Sequence, residues 1–303
     1  MGPKGTFSHE IAGRVCDRGE EILFYPTIRE VFAAVSERSS DDPSFRGIVP
    51  VENSGAGGVF ETLEGLLSTD CTVCAEYYLP VRYVFATSKG TAAKMPRFMS
   101  QDGSKSADLS AFGVVYAHPQ AHAQCSVFLS ELSKAAVIHT TSNAKSAEDT
   151  LVESSELTAA VTTRSAAEIC GLEIIRENIQ NYDSNTTRFL EIRKTAPAMT
   201  RKSPCLDDCT VCDIKCSIVV MPNGNYPGLL YRILSVFAGR EINLTRIESR
   251  PSGDKMGKYV FFIDYEFGRE LDADGNTKLL DWLRTITEVK ELGCYPKAKT
   301  EGQ

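Results

Sequence analysis

Short apolar strands alternate with helical stretches through the first 170 residues, and this alternation restricts the fold more than any other feature of the sequence. Segments 47–51, 112–116, 135–139 and 158–161 have the length and apolar content of buried strands, and each precedes a stretch with helical spacing. This order predicts an α/β architecture with mainly parallel sheets and helices on both faces. Ligands of such sheets bind beyond the carboxyl ends of the strands.

The order of elements changes after residue 216. A strand, a helix, two strands, a second helix and a last strand follow one another, and this βαββαβ order predicts a ferredoxin-like arrangement. Gly239 is placed to end the first of these helices. The six segments lie at 217–221, 227–239, 242–250, 258–267, 278–286 and 291–295.

A Pro- and Ser-containing stretch separates these two regions and predicts a connector. The chain has 303 residues, which is enough for two domains that each bury a core. We therefore predict an N-terminal α/β domain over residues 1–193, a linker over 194–215 and a C-terminal domain over 216–303.

Four of the ten cysteines lie close together, three within this linker and one directly after it, with the spacing C-x3-C-x2-C-x3-C. Four thiolates could bind zinc, but structural zinc sites usually separate two pairs by a longer loop, so the spacing favours a redox-sensitive or solvated linker. Ten cysteines are too few for a disulfide scaffold in a chain of this length, and we expect most to be reduced. The four are Cys205, Cys209, Cys212 and Cys216.

The chain is acidic, with a formal net charge of -7 and a pI near 5.3. Nucleic acids and anionic membranes bind clustered cations, so this charge argues against both as partners. The sequence contains no run of about 18 apolar residues and no visible export signal. We expect a cytoplasmic protein, or a plastid protein if an upstream targeting segment has been lost.

Three polar loops carry groups suited to ligand binding. NYDSNTTRF at 181–189 places amides, hydroxyls, an arginine and a ring directly before a predicted strand, although a polar hairpin loop would use similar residues. GPKGTFS at 2–8 and ENSGAGG at 52–58 are glycine-rich turns that leave backbone N–H groups free for a ligand. Ser8 is predicted to cap a helix to about residue 16, and 22–24 to form a short strand.

A fourth segment, AHPQAHAQC at 117–125, opens a helix directly after a strand. Gln120 and Gln124 are four residues apart, so both amides can face a ligand from one side of the helix, or both can be solvated. His118 and His122 share that spacing, but the chain has only four histidines and no obvious third ligand. We expect neither a metal ion nor a cofactor.

Five separated motifs occur in one order along this part of the chain. They are GPKGTFS at 2–8, PVENSGAGGV at 50–59, AEYYLPVR at 75–82, HPQAHAQC at 118–125 and NTTRF at 185–189. This set resembles the ordered motifs of prephenate dehydratases, and residues 228–251 resemble the ACT regulatory domain fused to them.

The resemblance implies a two-lobed catalytic domain similar to a periplasmic binding protein, with the active site between the lobes, followed by an ACT domain that binds phenylalanine. It implies a lyase that converts prephenate to phenylpyruvate with loss of carbon dioxide and water, or that uses the related substrate arogenate. ACT domains pair side by side, which implies a homodimer or homotetramer. The alternative from another class is a catalytically silent amino-acid sensor.

The resemblance also assigns roles to single residues. Thr187 would assist the departing hydroxyl group by donating a hydrogen bond or relaying a proton. Asn53 and Gln124 would position the substrate. Thr6 and Ser54 would add hydroxyl and backbone donors.

The resemblance also gives roles to the other two residues of the TRF motif and to a group of effector-site residues in the ACT domain. Arg188 is a candidate clamp for a substrate carboxylate, with a structural ion pair as the alternative, and Phe189 would pack or form a wall of the site. The effector site implied by the resemblance comprises Gly228, Leu229, Leu230, Asn243, Leu244, Glu248, Ser249, Arg250 and Pro251.

The chain departs from the family pattern in three places. Ala117 stands where the family usually has Ser, which removes a hydroxyl and predicts either reduced turnover or replacement of that hydroxyl by Tyr116 or water. Leu229 stands where the family has Ala and is expected to narrow the effector site. The strand that precedes GPKGTFS in the family is missing, which predicts a truncated chain and a destabilised lobe.

Overall fold

The chain forms two compact units, each assembled from separate stretches of sequence. The computed structural model describes residues 2–17, 19–38, 42, 44–99, 105–152, 157–195, 213–253, 258–267 and 273–298. The first unit comprises Met1–Thr27, Asn53–Gly55 and Leu79–Thr187, and the second Ile28–Glu52, Ala56–Tyr78 and Arg188–Gln303. Both units thus draw on the predicted catalytic domain, and the boundaries at residues 193 and 215 stay predictions.

The helices and strands follow the predicted alternation. The helices are α1 (Phe7–Val15), α2 (Ile28–Arg38), α3 (Phe60–Ser68), α4 (Lys89–Lys94), α5 (Pro119–Gln124), α6 (Ser126–Ser130), α7 (Asn143–Asp149), α8 (Arg164–Ile169), α9 (Leu229–Ala238) and α10 (Ala273–Arg284). The strands are β1 (Gly47–Asn53), β2 (Gly57–Gly58), β3 (Cys71–Pro80), β4 (Val84–Thr87), β5 (Arg97–Met99), β6 (Lys105–Ala107), β7 (Phe112–Ala117), β8 (Ala136–His139), β9 (Leu157–Thr162), β10 (Glu173–Glu177), β11 (Thr186–Lys194), β12 (Ile214–Met221), β13 (Leu244–Pro251), β14 (Tyr259–Phe267) and β15 (Glu288–Pro296).

The first unit is built on a five-stranded sheet with the order β10-β4-β9-β7-β8. The central strand β7 pairs in parallel with β8 and β9, whereas β4 pairs antiparallel with β9 and β10. The sheet is therefore mixed rather than mainly parallel. Phe85 lies in the core with its ring edge against Phe112 and Phe128, at centroid distances of 5.0 and 5.2 Å.

The second unit contains two four-stranded sheets, ordered β2-β1-β11-β3 and β13-β14-β12-β15. In the second sheet, β12 pairs antiparallel with β14 and β15, and β14 with β13. With α9 and α10 this gives the predicted βαββαβ order, which is confirmed. Alternate residues of β12, namely Cys216, Ile218 and Val220, enter the core with α9 and α10.

Three local predictions are wrong. Thr6, and not Ser8, is the N-cap of α1, and Ser8 is buried in the first turn. Residues 22–24 form no strand, and the helix predicted after His118 divides into α5 and α6 at Cys125.

Among the residues that the structure describes, no helix is long and apolar enough to cross a membrane.

One member of the cysteine cluster is a strand residue. Cys216 lies opposite Cys294 in the pairing of β12 with β15, and the two form a disulfide with a Cα–Cα distance of 4.1 Å. Its sulfur is therefore not available to the four-thiolate zinc site considered above. The other three cysteines of that cluster lie outside the described residues.

Candidate active site

The buried side chain of Asn53 holds the TRF motif at its threonine. Asn53 is 6% exposed, and its Nδ2 donates hydrogen bonds of 2.9 Å to Thr187 Oγ1 and to Asn185 Oδ1. The Gly55 N–H donates to Asn53 Oδ1 at 3.0 Å, which fixes the orientation of the amide. Asn53 and Thr187 are 134 positions apart in sequence, and the fold joins them by one hydrogen bond.

The hydroxyl group of Thr187 is left with a hydrogen to donate. Its oxygen accepts from Asn53, and no group among the described residues accepts its hydrogen. A hydroxyl has one hydrogen and two lone pairs, so accepting from Asn53 leaves the donor side for a ligand. A hydrogen bond received at the oxygen also polarises the O–H bond and makes it a better donor.

Ser54 links the end of β1 to the start of β11 by two hydrogen bonds with Thr186. Its N–H donates to the Thr186 carbonyl at 2.9 Å, and the Thr186 N–H donates to Ser54 Oγ at 3.0 Å. Ser54 was expected to offer its backbone donor to the substrate, but the chain itself uses that N–H. The structure gives Ser54 a positioning role.

Thr6 likewise has partners within its own loop. Its hydroxyl oxygen accepts from the His9 N–H at 3.4 Å, and its O–H donates to the Pro3 carbonyl at 3.1 Å. Gly5 is held on both sides, since its N–H donates to His9 Nδ1 at 3.0 Å and its carbonyl accepts from Thr163 Oγ1 at 2.5 Å. The GPKGTFS loop is therefore fixed to the first unit through Gly5.

Gly5 should not tolerate a side chain. Its φ is +89°, and an added Cβ would lie 2.8 Å from both Cα and Cβ of Ala166. Gly5→Ala is expected to lower the free energy of unfolding by about 2–5 kcal/mol, because backbone strain and overpacking add. Urea denaturation measures this loss. Gly171→Ala is the matched control, since Gly171 has a φ of +65° but nothing within 4 Å, and equal losses in both variants would refute the contact with Ala166.

Gln124 presents a buried amide oxygen that has no hydrogen-bond partner within the described part of the chain. Such an atom is costly unless a ligand or water donates to it. Asn181 fixes the segment around it: the Asn181 N–H donates to the Gln124 carbonyl at 2.7 Å, and its Nδ2 donates to the Ala123 carbonyl at 3.1 Å and to Ser126 Oγ at 3.0 Å. The role of Asn181 was not predicted, although it opens the polar stretch at 181–189.

The histidines after β7 serve local structure. His118 is the N-cap of α5, where its Nδ1 accepts from the Gln120 N–H at 3.3 Å. Burial, and secondly the proximity of His139, lowers the pKa of His118. His122 Nδ1 lies 2.9 Å from His139 Nε2. No group of three potential metal ligands occurs among the residues described.

Arg188 does not form the predicted carboxylate clamp. Its side chain is 5% exposed, and its Nε, Nη1 and Nη2 donate to Glu76 Oε2, Asp264 Oδ2 and the Tyr295 hydroxyl at 2.8, 2.6 and 2.9 Å. Protein groups thus occupy the fork that a substrate carboxylate would need, which matches the structural ion pair considered as the alternative. Phe189 is 1% exposed and packs in the core.

Burial alone would raise the pKa of the Asp264 carboxyl group. The charges of Arg188 and Arg246 and the hydrogen bond from Ser217 outweigh that effect and hold the pKa below its ordinary value. Asp264 is therefore an anion at neutral pH, and the contact with Arg188 is a true ion pair.

The predicted effector residues divide between packed and exposed positions. Gly228 caps α9 with a φ of +84°. Leu229 is the first residue of that helix and packs in the core, and its effect on the effector site stays a prediction. On β13, Glu248 pairs with Arg250 at 2.5 Å, and the Arg250 guanidinium lies 5.2 Å from the centroid of Phe60. The remaining positions are at least partly exposed, and they are Leu230, Asn243, Leu244, Ser249 and Pro251.

The fold and the polar site fit an enzyme that carries a regulatory domain at its C-terminus. Residues 1–197 match the family described as prephenate dehydratase, and residues 223–272 match the ACT domain. The chain belongs to the prephenate dehydratase family, whose members are lyases.

Individual relatives agree with this family. The chain is 34% identical to the bifunctional chorismate mutase/prephenate dehydratase of Aquifex aeolicus, over 98% of this chain and 73% of that protein. It is 32% identical to the prephenate dehydratase of Methanocaldococcus jannaschii, over 97% of this chain and 96% of that protein. Among solved structures, prephenate dehydratase from Arthrobacter aurescens in complex with L-Phe aligns with a TM-score of 0.79 at 27% identity, over 98% of this chain and 89% of that one.

Proposed function

We propose that the chain converts prephenate to phenylpyruvate. The bond between the ring and its carboxylate breaks, and its electron pair enters the ring as carbon dioxide leaves. The carbon–oxygen bond on the far side of the ring breaks at the same time, and the oxygen takes up a proton and departs as water. Because the ring becomes aromatic, the protein has only to orient the dianion and stabilise the departing oxygen.

The observation that carries this proposal is the hydrogen bond from Asn53 Nδ2 to Thr187 Oγ1. It aims the threonine hydrogen away from protein acceptors, so Thr187 can donate to the departing oxygen as negative charge develops there. The Gln124 oxygen can accept from a donor on the ligand, and Asn53 keeps its place through Asn185 and Gly55.

The ACT domain supplies the proposed regulation. We propose that phenylalanine binds there and slows turnover, because it favours one of two conformations of the chain by its differential affinity. The solved relative from Arthrobacter aurescens, which is in complex with L-Phe, supports this choice of effector. A homodimer or homotetramer formed through this domain is supported by β13, which lies at the edge of its sheet with Ile247 45% exposed. The cytoplasmic location stays a prediction.

The purified chain should convert prephenate to phenylpyruvate with release of one carbon dioxide per product. Phenylpyruvate is measured by its absorbance. Parallel incubations contain arogenate, whose product would be phenylalanine, so their turnover is followed by the release of carbon dioxide. The incubations with prephenate are repeated with added phenylalanine. We expect turnover of prephenate that phenylalanine slows. Faster turnover of arogenate would assign that substrate, and phenylalanine binding without turnover of either would identify a sensor.

A further inference from the structure

Six polar residues that are each no more than 5% exposed form a single network of side chains in the second unit. Arg188 contacts Glu76, Asp264 and Tyr295, as described above. Lys215 Nζ donates to both oxygens of Glu76 at 2.9 Å. Ser217 Oγ donates to Asp264 Oδ1 at 2.6 Å and lies 2.7 Å from the Tyr295 hydroxyl.

The charges of this network balance, since two cations, Arg188 and Lys215, face two carboxylates, Glu76 and Asp264. Burying four charges is costly, and apolar residues of similar size often give equal or greater stability. A network of this kind is better explained by a need for one fixed arrangement than by stability alone.

The network joins the two four-stranded sheets of the second unit. Arg188 and Glu76 lie on β11 and β3 of one sheet. The other four residues lie on β12, β14 and β15 of the sheet β13-β14-β12-β15, called the ACT sheet below. Arg188 directly follows Thr187 in β11, and successive side chains of a strand point to opposite faces. The side chain that follows Thr187 in β11 is therefore held by the network, on the opposite face of the sheet.

A second set of contacts repeats this relation on the neighbouring strand. Glu52 directly precedes Asn53 in β1, and its carboxylate lies 3.6 Å from Arg246 Nε of β13 and 3.8 Å from Arg188 Nη1. Thr187 and Asn53, which donates to the Thr187 hydroxyl, thus each adjoin a residue that contacts the ACT sheet or the network.

We propose that Arg188 is a positioning residue, through which the ACT sheet sets the place of Thr187. The inference rests on the proposed function, and it assigns the network as the physical link between the effector domain and turnover. Loosening the network from the ACT side should then reduce kcat and weaken the response to phenylalanine, with little change in KM.

Two buried tyrosines of the ACT sheet give a matched test. The Tyr295 hydroxyl accepts from Arg188 and lies within hydrogen-bond distance of Ser217. Tyr265 instead packs in the core formed with α9 and α10, and its hydroxyl donates to Asn276 Oδ1 at 2.8 Å. Both side chains are 0% exposed. Replacing each by Phe removes one buried hydroxyl from the same domain and leaves the ring in place.

Tyr295→Phe is expected to lower kcat about tenfold with KM within about twofold, because a small displacement of a reacting group is costly to the chemical step. It should also reduce the inhibition by phenylalanine. Tyr265→Phe should leave kcat, KM and inhibition close to those of the unmodified chain. Removing a buried hydroxyl is expected to lower the stability of both variants, and thermal unfolding measures that loss in each.

Equal kcat and equal inhibition in the two variants would overturn the proposed link and leave the network a structural one. Amide hydrogen exchange at residues 185–188, measured without substrate or effector, gives a second readout. Faster exchange there in Tyr295→Phe alone supports the link, and unchanged exchange opposes it. An unmodified chain that turns over neither substrate would refute the proposed function, whereas the exchange comparison would still decide the link.

Discussion

Thr187→Val is expected to lower kcat by about 100- to 1000-fold, the usual loss when one donor to a developing oxyanion is removed. Valine keeps the β-branched shape that suits β11, so the strand should form as before. It lacks the hydroxyl that accepts from Asn53 and donates onward. Steady-state rates of phenylpyruvate formation from prephenate measure the loss.

Thr187→Ser is the control, because serine retains a hydroxyl at the same backbone position and should keep most of the activity. Binding of phenylalanine, measured by calorimetry, should remain in both variants because the ACT domain is unaltered. A Thr187→Val enzyme with more than a third of the original kcat would show that another group assists the departing oxygen.

Arg188→Leu is expected to lower the free energy of unfolding by about 3–5 kcal/mol. Leucine leaves Glu76 and Asp264 buried with Lys215 as the only remaining cation of the network, and removing one partner of a buried ion pair leaves an uncompensated charge. Urea denaturation followed by circular dichroism measures the change.

Arg82→Leu provides the comparison for this loss. Arg82 also pairs with a carboxylate, Asp183, at 2.7 Å, but the two side chains are 45% and 85% exposed. Exposed pairs contribute at most about 1 kcal/mol, so this variant should remain close to the unmodified chain. Similar losses in the two variants would mean that burial of the Arg188 network does not govern its contribution.

Parts of the fold and site follow from local pattern. The apolar run of β12 and the helical spacing of α9 were visible in the sequence, and together with the four later segments they predicted the βαββαβ order. Asn53 and Thr187 were found through motifs and not through physics, because nothing local shows that residues so far apart share a hydrogen bond. β10 was missed because its ends are exposed and charged, so its apolar signal is short.

Two other misses have physical reasons. Thr6 and Ser8 both offer a hydroxyl near the start of α1, and only the turn at Gly5 decides which of them lies outside the helix. Arg188 was read as a ligand for substrate because its partners lie 112 and 76 residues away. A cation beside a catalytic motif gives no local sign of which carboxylate it meets.

The second unit draws on stretches from the start, middle and end of the chain. During synthesis, Glu76 leaves the ribosome long before Arg188 and Lys215, which follow it by 112 and 139 residues. Contacts of such long range slow folding. The early strands of the second unit should therefore stay incompletely packed on the nascent chain until β11 to β15 have emerged, which makes this part of the chain a natural substrate for chaperones.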